Sequence, residues 1–205
     1  QTANGVVDIM MHTMERYFNK GSNMQITDAI SEALLRTVMH NAQVLAQQPQ
    51  AYNARAEVMW AGSLAHNGLT GCGTDGGDFA THNLEHEVGG LFDVTHGAGL
   101  AALWGSWARH VYKHRPQRFA QYAVNVMGLA PAGTEEELGQ KGIEAMEVFY
   151  RSIVMPTSLS QLGVSPTDEQ IEEMASKCIA AFPEGIGVVK RLQKDDMIEI
   201  YKAAR

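Results

Sequence analysis

The stretch Gly77–Leu100, GDFATHNLEHEVGGLFDVTHGAGL, decides between a helical and a mixed architecture. Asp78 offers a side-chain cap for a helix running to the Gly89-Gly90 pair. A short Leu-Phe-Asp-Val connection follows, and Thr95 can cap a second helix through Arg109 or beyond. Helix follows helix with no strand between. The preceding loop, with five glycines between Gly68 and Gly77, also lies between helices. A phosphate-cradling Gly-x-Gly-x-x-Gly turn needs a strand before it, so Gly71-x-Gly73 and Gly76-Gly77 make no dinucleotide fingerprint.

The helical period holds on both sides of this stretch. From Thr27, a good N-cap, Ile30, Leu34, Val38 and Leu45 share one face of a helix that Pro49 stops. The Ala- and Met-rich segment from about Tyr52 to Leu69 is helical. Pro116 suits a first helical turn. Thr134-x-x-Glu137 and Thr167-x-x-Gln170 have the capping-box form. After the first box, Leu138, Ala145, Phe149 and Ile153 form a stripe that reads as core. A terminal helix covers Asp196 to Ala203. Ile186–Val189 is the one short apolar run with strand character, too short to build a sheet. The expected class is all-α, one helical bundle over residues 1–205.

Composition narrows the function. The chain has 205 residues, 45% of them hydrophobic and 19% charged, which allows one sizeable buried core. A formal charge of −7 and scattered Lys and Arg argue against nucleic acid as a partner. No run of apolar residues is long enough to cross a membrane, and the N-terminus has no signal-peptide pattern. Cys72 and Cys178 read as free thiols in a reducing cytoplasm. There is no initiator Met, and an apolar helical pattern starts within a few residues, which reads as a chain cut from something longer.

The chemistry sits in histidines. His82 and His86 are four apart, on one helix face, and His96 opens the next helix where the chain doubles back. Asp8 and His12 are also four apart, on a helix whose next residue on that face is Glu15. One carboxylate and several imidazoles brought to one point suit a divalent Fe, Zn or similar ion. Such spacing also arises by chance: Asp78 and His82 show it, as do His110 and His114. Asp78 reads instead as an N-cap, His110 and His114 as a solvated helix end, and His40 and His66 as packing or surface residues. Two other readings fit the residues: a helical metal-dependent hydrolase, which the lack of any His-Asp dipeptide disfavours, and a non-catalytic helical binding domain that takes up no metal.

The string DIMMHTMERYF, Asp8–Phe18, resembles the segment of iron-containing alcohol dehydrogenases that supplies an Asp and a His to the metal. The Gly77–Leu100 stretch resembles the second signature of that family, His-x-x-x-His followed ten residues later by His-Gly. The similarity is nearest to the butanol dehydrogenase-like branch and continues through Trp104-Gly-Ser-Trp107 and Arg118-Phe-Ala-Gln121. It implies the C-terminal helical domain of the dehydroquinate synthase-like fold. It also implies Asp8, His12, His82 and His96 as ligands of Fe2+ or Zn2+. His86 would stand beside the metal without ligating it, in proton relay or substrate orientation. Phe79 stands where relatives often have Trp, a change of pocket shape. The implied reaction is reversible oxidation of an alcohol to an aldehyde or ketone, with hydride passing to NAD or NADP. The nucleotide-binding α/β domain that holds that cofactor in the family has no counterpart in these 205 residues, so the implied partners are this missing N-terminal domain, a small alcohol or aldehyde, and further copies in a homo-oligomer.

Overall fold

The computed structural model describes residues 1–74 and 76–205. Among them the elements are helical: α1 (Thr2–Tyr17), α2 (Gln25–Gln47), α3 (Tyr52–His66), α4 (Ala80–Phe92), α5 (His96–Val111), α6 (Pro116–Asn125), α7 (Glu135–Ser152), α8 (Asp168–Ala181) and α9 (Lys194–Ala204). Two short 3₁₀ turns cover Leu69–Gly71 and Tyr112–His114. The Ile186–Val189 run forms no strand, only a single antiparallel bridge from Ile186 to Leu192. The all-α expectation holds, and no described helix is long and apolar enough to cross a membrane. Both cysteines are free, Cys72 exposed and Cys178 buried.

The core is built around α5. Leu100, Ala102, Leu103, Trp104, Trp107 and Ala108 are all inaccessible to solvent, so this helix is apolar on every side, as a central helix must be. Against it lies α1, which buries Val6, Val7, Met10, Met11, Met14 and Tyr17. The two backbones approach closely at Gly97. A Cβ there would lie 2.7 Å from the Asn4 carbonyl carbon and 2.8 Å from Asn4 Cα, so only glycine fits. This contact puts the start of α5 beside the first turns of α1, the two places where His96 and Asp8 sit.

Caps and breakers behave partly as read. Thr134 and Thr167 each form the full capping box, with Glu137 and Gln170. Pro116 occupies the first turn of α6, and α2 ends at Gln47, just before Pro49. Thr95 is the N-cap of α5, although its hydroxyl makes no capping bond. Four boundaries differ. Thr27 is not the cap of α2, which starts at Gln25; its hydroxyl donates to the Cys72 carbonyl at 2.9 Å, tying α2 to the glycine loop. The third helix stops at His66, and Leu69 belongs to the 3₁₀ turn. The fourth runs through Gly89-Gly90 to Phe92 and ends on Asp93, a left-handed residue with φ of 53°. Tertiary packing outweighs the ~1 kcal/mol that each glycine costs a helix. The last helix starts at Lys194, two residues ahead of Asp196, which closes a box with Gln193.

Asp78 does more than cap. The N-cap position belongs to Phe79. Asp78 Oδ1 accepts from Ala80 N at 3.2 Å, while Oδ2 accepts from Val188 N at 2.7 Å and Val189 N at 2.8 Å. The carboxyl thereby ties the α8–α9 connection to the start of α4. Burial pushes it up to about 6, against the lowering effect of those backbone N–H groups. A raised folded value means that folding takes up a proton between about pH 4 and 6, so this group's contribution to stability falls as pH rises through that window. Asp78→Asn replaces an acceptor that faces two N–H donors. It is expected to cost about 1–2 kcal/mol at pH 5 and less at pH 7, where the wild-type carboxyl has ionised and lost that contribution while the amide does not titrate. Denaturant titrations at the two pH values measure both numbers; equal costs at pH 5 and pH 7 would contradict this account.

Candidate metal centre

Three helices deliver the site. The first carries Asp8 and His12 one turn apart, the fourth carries His82, and the fifth begins with His96. All three imidazoles aim Nε2 at one atom, Asp8 Oδ1: His82 and His96 at 3.5 Å and His12 at 3.7 Å. Those separations are too long for hydrogen bonds. They match the edge of about 3.4 Å between donors held tetrahedrally at ~2.1 Å from a metal ion. Asp8, His12 and His82 present ligand atoms that all lie within 4.8 Å of one another. His82 Nε2 is buried without a hydrogen-bond partner and faces into the cluster. Donor chemistry and geometry both fit a divalent ion held by one carboxylate and three imidazoles.

The remote faces of the imidazoles are anchored too. His82 Nδ1 is bonded to Glu15 and His96 Nδ1 to Glu85. A carboxylate on Nδ1 keeps a proton there, so that Nε2 is the nitrogen that gives up its proton to an ion. Glu15 also caps α4 from outside. Its Oε1 accepts from Thr81 N at 2.8 Å and His82 N at 3.2 Å, at a helix start where Phe79 has no capping side chain. The approach needs Gly77, whose φ is +89° and whose Cβ would lie 2.6 Å from Glu15 O. Phe79 itself is left-handed, with φ of 51°, and its ring centroid stands 5.8 Å from His12 and 5.6 Å from His82, walling the site.

Two further histidines stand at the rim. His86 is exposed, its ring stacked on His96 at 5.6 Å and edge-on to His82 at 6.2 Å. His66, read from sequence as a packing or surface residue, comes to the centre: its ring lies 4.1 Å from that of His12. His40 is exposed, away from these contacts. His110 is not a solvated helix end. It is largely buried, with Nε2 3.0 Å from Asp196 Oδ1 and 2.9 Å from Lys190 Nζ. His114, in the exposed 3₁₀ turn, does fit that description.

Sequence reasoning missed Glu15 as an anchor, Glu85 altogether, and His66 at the rim. One signal was available: Glu15 sits in a helix of Met, Ile and Val and keeps to the face of Asp8 and His12. Nothing local marks Glu85, because an acidic residue three positions after a histidine is usually solvated.

Electrostatics follow the contacts. Burial would raise the Asp8 carboxyl, but the facing His82 and His96 imidazoles hold it well below the carboxylate range. Burial, followed by the charge of His82, lowers His12 to about 4. Burial also opposes the charged form of His82, yet Asp8 and Glu15 outweigh it and raise the group to about 9. Asp8 and Glu85 raise His96 to about 10. An entering ion must therefore displace protons from His82 and His96 at neutral pH. Apparent metal affinity is expected to rise at least about ten-fold per pH unit between pH 6 and 8. Competition against a chromophoric chelator across that range measures the slope, and a flat profile would refute the proton displacement.

Fold and geometry define a class: an all-helical domain in which three histidines and one aspartate from three helices converge on one point. Residues 2–205 match the family described as Fe-containing alcohol dehydrogenase family, C-terminal. The chain belongs to that family. It is 37% identical over 204 residues to the probable NADH-dependent butanol dehydrogenase 1 of Bacillus subtilis (strain 168), covering 99% of this chain and 51% of that protein. It is 31% identical over 205 residues to the NADPH-dependent aldehyde reductase of Escherichia coli (strain K12), covering 100% of this chain and 52% of that one. The crystal structure of NADH-dependent butanol dehydrogenase A from Thermotoga maritima superposes with a TM-score of 0.92 at 34% identity, over 100% of this chain and 52% of that one. The chain thus has the fold of the C-terminal half of these enzymes and spans about half the length of the curated relatives it matches.

Proposed function

We propose that this chain is the metal-binding catalytic half of an NAD(P)-linked alcohol dehydrogenase that interconverts a small alcohol with its aldehyde or ketone. The observation that carries the reading is the convergence of three Nε2 atoms on Asp8 Oδ1, two of them with Nδ1 fixed by buried glutamates. Asp8, His12, His82 and His96 would hold Fe2+ or Zn2+, giving the loaded site a net charge of +1. Such an ion supplies Lewis-acid polarisation of an alcohol or carbonyl oxygen. The hydride chemistry belongs to NAD or NADP, which an N-terminal nucleotide-binding domain would bring.

The chain's own residues do the rest. Glu15 and Glu85 hold the Nδ1 side of His82 and His96 and so aim both Nε2 atoms at the place of the ion, which takes them once their protons are displaced. Phe79 closes one wall against water. Side-chain exposure rises from 7% at His82 to 42% at His96, so the site opens on the His96 side, where a substrate oxygen can enter. His86 stands on that open side, beside His96, and is placed to take or return the hydroxyl proton or to orient the substrate. Membership of a family of nicotinamide-linked dehydrogenases supports this reading over hydrolysis. We also assign the working enzyme to a reducing cytoplasm, where Cys72 and Cys178 stay as thiols, and to a homo-oligomer.

The test uses the full-length protein, with loss of NADH or NADPH absorbance followed in the presence of butanal. Turnover that stops on chelation and returns with Fe2+ or Zn2+ is the expected result. Phosphoester hydrolysis without nicotinamide, or aldehyde reduction indifferent to chelator, would replace it with another reading.

A further inference from the structure

We propose that His66 is a fifth protein donor of this metal centre. The inference rests on the reading of Asp8, His12, His82 and His96 as ligands and extends it to a residue on another helix.

Three contacts carry it. His66 Nε2 stands 3.5 Å from Asp8 Oδ2, the same separation at which His82 and His96 face Asp8 Oδ1. At that distance an imidazole and a carboxylate do not hydrogen-bond, whereas two donors sharing one ion stand about that far apart. His66 Nδ1 lies 2.8 Å from the Gly62 carbonyl oxygen one turn back on α3, which can only accept. The Nδ1 proton is therefore committed to that bond, and Nε2 carries the lone pair. The same device prepares His82 through Glu15 and His96 through Glu85. The third contact is the His66 ring, 4.1 Å from the His12 ring, at the edge of the cluster.

Comparison with His12 sharpens the point. His12 Nδ1 is buried with no partner, so nothing fixes its tautomer or its ring. Of the two imidazoles on this side of Asp8, His66 is the one whose donor atom is set in advance. His66 also ends α3, where the negative end of the helix dipole favours a neighbouring cation. Five protein donors would suit an ion that accepts six ligands, such as Fe2+ or Co2+, and would leave it one position for a substrate oxygen.

The test is Co2+ loading of the full chain and of His66→Phe and His66→Gln. The visible spectrum and competition with a chelator are read, and circular dichroism checks that each variant is folded. His66 is 42% exposed on its side chain, so neither substitution opens a cavity. The expected result is a weak five- or six-coordinate spectrum in the wild type. In both variants it should change to the intense tetrahedral form, with affinity reduced about ten-fold or more. Wild-type and variant chains that bind Co2+ equally, with one common spectrum, would reduce His66 to a packing residue and leave the four-ligand site standing. A wild-type chain that binds no Co2+ at all would overturn both.

Discussion

His82→Ala is expected to leave the chain folded and without its ion. His82 is the most enclosed of the four proposed ligands, 7% exposed on its side chain, and its Nε2 has no other partner. Removing it takes away one of the inward donors and strands Glu15 with only the two backbone N–H groups of residues 81 and 82. Loss of the anchor alone would cost 10- to 100-fold in affinity, by the usual worth of residues that orient a ligand; loss of the ligand should exceed about 100-fold. Elemental mass spectrometry should fall from about one metal per chain to a small fraction of that. Helical circular dichroism should be preserved, with a stability cost of about 1–3 kcal/mol for the half-satisfied Glu15. A purified variant that kept full metal would remove His82 from the site.

The second large effect is expected far from any donor atom. Gly97→Ala puts a methyl against three backbone atoms of Asn4, and no side chain is there to swing aside. The first and fifth helices must part. Overpacking of this kind costs about 1–3 kcal/mol, at times more; for a domain of this size, 3 kcal/mol corresponds to a fall of about 6–12 °C in Tm. Because Asp8 lies one turn beyond Asn4 and His96 immediately precedes Gly97, the same displacement separates a carboxylate from an imidazole. Metal content should fall together with Tm. Gly5→Ala is the control: nothing lies within 4 Å of its would-be Cβ, so a helix-interior glycine can become alanine with a gain of up to about 1 kcal/mol. If Gly97→Ala melts like the wild type and retains its ion, the backbone contact does not set the site.

Both expectations depend on distances that no sequence pattern carries, while much else was open to reading. The class followed from period and caps. The boxes at Thr134 and Thr167 are contacts within four residues, and they formed as read. Thr27 failed as a cap because a loop carbonyl 45 residues away claimed its hydroxyl. Asp78 has the position of a cap and acts as a tether, its Oδ2 taken by Val188 and Val189 more than a hundred residues on. His110 has the pattern of a solvated helix end, yet Asp196 and Lys190 cover it from the chain's other end.

The candidate site divides in the same way. By itself the sequence determined the helices, the pairing of Asp8 with His12 on one face, and the nomination of His82, His86 and His96, because residues four apart on a helix are neighbours whatever the rest of the chain does. Only the tertiary structure decided that Glu15 would reach His82 across 67 positions and cap α4. It also brought His66 to the rim of the same centre. Those partners depend on which helix faces meet and how closely. Backbone contacts at Gly77 and Gly97 set that closeness, and the absence of a side chain there acts only once two distant segments are packed together.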